Sequence, residues 1–279
     1  MTVPDDPTFD SDVRRRMYEY VERHGAVTPQ QVLDDVRIEA TNPDSKPSRS
    51  ALTTKVRMTP ATFASHLAAL VKAGYVVKDG RTLRIGVESE DETIDLDDGR
   101  ELTIRLAREA DSDDVASLIR DVASERTHIV AESVAEALDD EPVVRHTNQQ
   151  SRVIFVATMD EAHDDGERDD TRNRDEDVIG WVHVDGPERE KLRHTAELTV
   201  GVREEYRGQG IGSRLLDRGL EWAREHGYRK IYQSVPATNE DAIAFLQEKG
   251  WDVEAERKDH YQVGENLVDE VMLATWVDR

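Results

Sequence analysis

The residues best suited to chemistry lie between positions 200 and 213, where the chain reads Val200-Gly-Val-Arg-Glu-Glu-Tyr-Arg-Gly-Gln-Gly-Ile-Gly-Ser. A strand-like run passes through a short turn into Arg207, Gly208, Gln209, Gly210, Ile211, Gly212 and Ser213. An amphipathic helix follows, with Ile211, Leu215, Trp222 and Ala223 on one face. Glycines at such a junction let backbone N–H groups approach phosphate oxygens closely, and the helix N-terminus adds a partial positive charge. The expectation is a pyrophosphate cradle. Spacing narrows the ligand: the Gly-Lys-Ser/Thr of a P-loop is absent, and glycines at 208, 210 and 212 do not fit G-x-G-x-x-G.

Alternating and helical periodicities around this segment predict the elements that hold it. Strands are expected at 102–106, 153–157, 178–184, 197–202 and 231–235, with closing strands near Val253 and at 271–276. Helices are expected around 115–122, 133–138, 210–225 and 241–248. This order predicts an α/β or α+β domain built on one mixed central sheet flanked by helices.

The pattern R-x-x-G-x-G, placed after the strand Glu197-Leu-Thr-Val-Gly-Val, resembles the coenzyme A loop of the GNAT-type N-acetyltransferases. Three further segments fall in that family's order: Ile179-Gly-Trp-Val, Asn239 through Trp251, and His260 through Met272. The resemblance covers about residues 101–277. It implies a GNAT-like mixed sheet and acetyl-CoA as co-substrate; no metal is expected on separate grounds, because the nine histidines lack an H-x-x-x-H pair or similar clustering and the acids read as surface charge. Backbone groups of Val200 and Val202 would pair with the pantetheine arm, the loop Arg207, Gly208, Gln209, Gly210, Ile211, Gly212 and Ser213 would hold the pyrophosphate, and Asn239 would bond the arm. Glu197 is the candidate general base, because an ammonium has no lone pair and an alkylamine titrates near 10.4. The family's usual acid is a tyrosine seven residues after the asparagine, and counting from Asn239 lands on Leu246, which cannot donate. Tyr232 and Tyr261 are the substitutes at hand, and Tyr261 is carried forward as the catalytic candidate.

The N-terminal region reads differently. Val13, Met17, Tyr20 and Val21 mark a first helix ending near Gly25, Thr28-Pro29 opens a second, and Thr59-Pro60 opens a third with Phe63, Leu67 and Leu70 on one face. Tyr75-Val-Val-Lys, the turn Asp79-Gly80 and Arg81-Thr-Leu-Arg-Ile write a hairpin. Residues 11–87 resemble a winged helix-turn-helix domain, with an unusually long polar segment at 40–56. Such a domain leaves DNA binding open through residues 59–84, with Thr62, Ser65, His66 and Ala69 toward bases and Lys78, Arg81 and Arg84 toward phosphates. Dimerisation or substrate docking is the alternative use of the same module.

Composition bounds these readings. The 279 residues carry 60 Asp+Glu against 37 Lys+Arg, for a net charge of −23, with no cysteine. No stretch approaches 18 uncharged apolar residues, which excludes a membrane-spanning helix, and a cytoplasmic protein is expected. Arginine dominating lysine by 29 to 8 within an acidic chain resembles the proteome style of salt-loving archaea. The charge is uneven: residues 11–84 hold 13 Lys/Arg and 8 Asp/Glu, a net of +5, while residues 85–279 carry −25. The acidic run Glu88 to Gly99 reads as a linker over 88–100, ahead of a domain at 101–279, and the run from Asp160 to Asp177 reads as a long hairpin loop. The function expected is acetyl transfer from acetyl-CoA to an amine of a small molecule, peptide or protein, with a homodimer left open. A DNA-binding regulator that senses acyl-CoA without turnover is the competing reading.

Overall fold

The computed structural model describes residues 9–24, 26–39, 55–86, 89–96, 99–126, 129–140, 143–146, 151–160, 176–187, 189–263 and 265–277. Contacts divide the described residues into two compact units, one of residues 9–86 with 145–146 and one of residues 89–144 with 151–277.

The first unit runs α1 (Asp12–His24), β1 (Ala26–Val27), α2 (Pro29–Asp35), β2 (Arg37–Glu39), β3 (Lys55–Arg57), α3 (Pro60–Lys72), β4 (Val76–Asp79) and β5 (Thr82–Ile85). Both Thr-Pro signals open helices. The Thr28 side chain accepts the Gln31 N–H while the Gln31 side chain accepts from the Thr28 backbone, a reciprocal box, and Thr59 Oγ1 accepts from the Thr62 N–H. The sheet order is β1-β5-β4, and β2 pairs with β3 as a separate ladder. Of the long polar segment, the flanks form that ladder, while 40–54 lies outside the described residues. Met17, Val21, Val32, Leu67, Leu70 and Leu83 fill the core.

Two expectations about this unit change. Arg84 does not reach outward: β1 pairs alongside it at Ala26, making a wing position interior, and its Nε donates to Asp79 Oδ2 at 3.0 Å. His66 is half-buried beside Arg14, and burial first, then that guanidinium, lowers its pKa.

The second unit contains β6 (Glu92–Asp95), β7 (Glu101–Leu106), α4 (Ser112–Arg126), α5 (Ile129–Asp140), β9 (Ser151–Asp160), β10 (Glu176–Asp185), β11 (Thr195–Val202), α6 (Ile211–Glu225), β12 (Lys230–Pro236), α7 (Glu240–Glu248), β13 (Asp252–Val263) and β14 (Asn266–Trp276). The short strand β8 (Arg145–His146) clusters with the first unit. The sheet order is β13-β14-β12-β11-β10-β9-β7-β6, antiparallel except for the β11–β12 pair. This is the mixed α/β architecture that the element order predicts. The stretch expected as a linker is instead partly strand: Glu92–Asp95 pairs with Glu101–Ile104. A ladder needs only backbone donors and acceptors, so acidic, exposed side chains do not prevent it. Asp160 pairs with Glu176 across the second acidic run, whose residues 161–175 lie outside the described set. No helix among the described residues is long and apolar enough to cross a membrane.

Candidate active site

Among the described residues the large sheet parts between β11 and β12, and the candidate site lies in that opening. β11 and β12 pair only at Thr195↔Lys230, Ala196↔Ile231 and Glu197↔Tyr232. Past Glu197, β11 stays with β10 through Val202, and past Tyr232, β12 stays with β14 through Pro236. The strands fork. A cavity of about 590 Å³ occupies the fork, walled by Val200, Gly201 and Val202 on one side and by Gln233, Phe245 and Leu246 on the other.

At the open end of the cavity, Arg207, Gly208, Gly210, Gly212 and Ser213 form the floor. Gly208 has φ 77° and Gly210 φ 81°, values that L side chains rarely adopt, and a Cβ at either would meet nothing within 4 Å. The glycines are there for backbone conformation, and the space above them is open. Gly210 is the N-cap of α6 and offers no side-chain cap, so the first-turn N–H groups have no partner from their own helix. Arg207 Nε donates to the Val202 carbonyl at 2.9 Å, tying the loop back to β11. Gln209 and Ile211, expected in the cradle, do not line the cavity. Gln209 is exposed and donates to the Glu205 carbonyl at 3.4 Å, whereas Ile211 is 1% exposed and packs inward as the first core residue of α6.

Asn239 lines the cavity and is 5% exposed. Its Oδ1 accepts the Ala242 N–H at 3.3 Å, capping α7. Leu246 takes part in the wall as an apolar group.

Alternation along the strands sorts the remaining residues onto two faces. A Cβ at Gly219 of α6 would meet Val182, Leu198 and Val184, so Leu198, Val200 and Val202 belong to the α6 face. Glu197 belongs to the other, in register with Asp185 of β10 and Tyr232 of β12. Burial first, then Asp185 and Glu270, pushes Glu197 up to about 7. Tyr232 is raised by burial, then by Glu197 and Asp185.

Tyr261 stands on the hairpin, outside the cavity lining, and its hydroxyl donates to Glu270 Oε1 at 2.8 Å. Burial and that carboxylate raise its pKa well above the ordinary tyrosine value. Glu270 is 3% exposed, with Arg257 Nη1 2.9 Å from Oε2 as an ion-pair contact. The proton expected to serve a leaving group is thus directed to a buried carboxylate.

Sequence reading missed Gln233 and Glu270. Gln233 follows an alternation, Ile231, Gln233, Val235, that signals only a strand with one buried face. Glu270 becomes informative only once β14 brings it beside β12, where it pairs with Pro236.

Residues 131–251, from α5 to the end of α7, match the model of the Acetyltransferase (GNAT) family. Over 80 residues the chain is 35% identical to the mycothiol acetyltransferase of Corynebacterium glutamicum (strain R). That match covers 28% of this chain and 26% of the relative, so the chain spans about a quarter of the curated relatives it matches. Among solved structures, the GNAT-family acetyltransferase from Streptococcus pneumoniae is 21% identical with a TM-score of 0.47, covering 63% of this chain and 99% of that one. The Salmonella typhimurium acetyltransferase solved with its cofactor acetyl-CoA is 18% identical with a TM-score of 0.46, covering 64% and 95%. The matched segment lies within the second unit and takes in α5, the middle strands of its mixed α/β sheet, α6 and α7.

Proposed function

We propose that the chain transfers an acetyl group from acetyl-CoA to an amine of a small molecule, peptide or protein. The observation that carries this reading is the fork between β11 and β12, closed at one end by Glu197 and open at the other onto an uncapped, glycine-led helix. The fit to coenzyme A is chemical: backbone N–H groups of Gly210, Gly212 and Ser213 suit a pyrophosphate, and the free edge of Val200–Val202 suits an extended amide-bearing arm. Acetyl-CoA supplies an acetyl group activated as a thioester. Glu197 takes the proton from the incoming amine, directly or through a water. A carboxylate near 7 is a better base for that task than an ordinary one near 4.5, and it is still about half ionised at neutral pH. Asp185 and Glu270 keep its proton affinity high, and Tyr261 holds Glu270 in place rather than acting as the acid. Carboxylates from three strands favour an acceptor that arrives as a cation.

The N-terminal unit, with three helices and a β1-β5-β4 sheet, fits a winged helix. Lys72, Lys78 and Arg81 are its exposed cations along residues 59–84, and a DNA role rests on them. β13 is solvent-exposed along nearly its whole length, which leaves an edge for a second copy in a homodimer. The acidic coat suits a salt-rich cytoplasm. Thiol release from acetyl-CoA across a panel of amines tests the activity, with calorimetric coenzyme A binding as its companion. No release with any amine, together with no binding, overturns the reading.

A further inference from the structure

Two polar side chains stand together at the closed end of the fork without bonding anything in the fold. Glu197 and Tyr232 are the last pair of the β11–β12 ladder, and residues paired across a ladder point to the same face of the sheet. Among the described residues neither the Glu197 carboxylate nor the Tyr232 hydroxyl makes a hydrogen bond, and none of their oxygens is sealed from solvent. Both residues are half-buried.

Their neighbours on that face are engaged elsewhere. Tyr261 donates to Glu270 Oε1 at 2.8 Å and hydrogen-bonds Ser234, and Arg257 pairs with Glu270 at 2.9 Å. Asp185 stands in register with Arg152 of β9 on its other side. An accessible carboxylate and an accessible hydroxyl are left side by side, on strands about 4.8 Å apart. A single ligand atom carrying several N–H groups can meet both, and an ammonium carries three.

The chemistry of Tyr232 separates two uses of its hydroxyl. Burial first, then Glu197 and Asp185, raises its pKa above the ordinary tyrosine value, so it stays un-ionised at neutral pH. Such a phenol is a poor acid for a thiolate whose conjugate acid titrates near 8.5. Its oxygen still accepts hydrogen bonds, and whatever Glu197 deprotonates must lie beside it.

Resting on the acetyl-transfer reading above, we propose that Tyr232 binds and orients the acceptor nitrogen, its phenolic oxygen accepting one N–H of the ammonium while Glu197 accepts another. Glu197 then takes its proton, and the neutral amine remains tied to Tyr232 by a remaining N–H, within reach of the fork. The nitrogen lone pair bonds the thioester carbonyl carbon, the C–S bond breaks with its electron pair leaving on sulfur, and a second nitrogen proton passes to water as the amide forms. Tyr232 neither gains nor loses a proton.

Tyr232→Phe, which keeps the ring and removes only the hydroxyl, tests this with butylamine, ethylenediamine and a lysine-bearing peptide as acceptors. On any amine the wild type acetylates, kcat/KM for the amine should fall about tenfold to a hundredfold, the range of a hydrogen bond to a charged group, with a raised amine KM. Acetyl-CoA KM and calorimetric coenzyme A affinity should stay within about twofold. The rise of activity through about pH 7 should persist, because Glu197 and the carboxylates that raise it, Asp185 and Glu270, are untouched. Adding Glu197→Gln should cost less than the product of the two single losses, since both residues act on one nitrogen. An amine kcat/KM within twofold of wild type, a matching fall in coenzyme A affinity, loss of the pH dependence, or fully multiplicative losses overturns the proposal alone. A wild-type chain that releases no thiol with any of these amines and binds no coenzyme A overturns the acetyl-transfer reading and the proposal with it.

Discussion

α2 and α3 of the N-terminal unit and α6 of the C-terminal unit begin in opposite ways, while α7 is capped by Asn239 as α2 and α3 are by threonine. In the N-terminal unit, α2 and α3 open on threonines whose hydroxyls accept first-turn N–H groups, each followed by a proline that has no N–H to satisfy. In the C-terminal unit, α6 opens on Gly210 with no side chain to offer. A cap converts an exposed helix end into stability, whereas leaving it bare keeps several donors and a partial positive charge for something else. The comparison separates a helix end closed by its own side chain from one left open beside a cavity.

The largest expected effect comes from filling the bare end. Gly210→Asp sets a carboxylate at the mouth of the cradle, in a left-handed conformation that aspartate tolerates at a cost of about 1–2 kcal/mol. Coenzyme A affinity should fall at least a hundredfold by calorimetry, with the circular dichroism spectrum unchanged. Next is the base. The wild type should gain activity as pH rises through about 7, and Glu197→Gln should lower kcat/KM by roughly 10²- to 10⁴-fold and abolish that rise. The same residue predicts a stability effect of opposite sense. Its folded pKa lies above its ordinary 4.5, so the folded state holds the proton more tightly, and wild-type stability falls as pH climbs from 4.5 to 7. Glu197→Gln should therefore melt higher than wild type at pH 8, by about 2–3 kcal/mol, and similarly to it at pH 4. The smallest effect comes from opening a closed end: Thr59→Ala should cost the N-terminal unit about 1 kcal/mol in urea denaturation and leave coenzyme A affinity untouched. A loss of coenzyme A binding in Thr59→Ala would break the distinction between the two kinds of helix end.

The glycine turn ahead of α6 was legible because backbone conformation is written directly in glycine spacing, and the caps because Thr-Pro states both the hydroxyl and the missing donor. Glu197 could be placed on its strand from alternation, but its raised proton affinity could not, since the cause is Asp185 and Glu270, brought in from β10 and β14. Arg84 shows the converse error. As a charge on a hairpin it reads as exposed, and only the short β1, two residues long, makes it interior. The acidic run after the first unit hid β6 for a related reason: composition reports what side chains prefer, while pairing with β7 is settled by the backbone. Gln233 was invisible because one polar residue in an alternating strand carries no signal until the fork exposes what surrounds it.

The fork also has a mechanical meaning. The sheet amounts to two panels, β6 to β11 and β12 to β14, hinged along a seam of three residue pairs. A ligand lying against the free edge of β11 would act as mortar, joining the panels where the backbone itself does not. By mass action, saturation at a hundred times its Kd would add about 2.7 kcal/mol to the unit's resistance to unfolding. A ligand seated in that seam would thus become part of the wall.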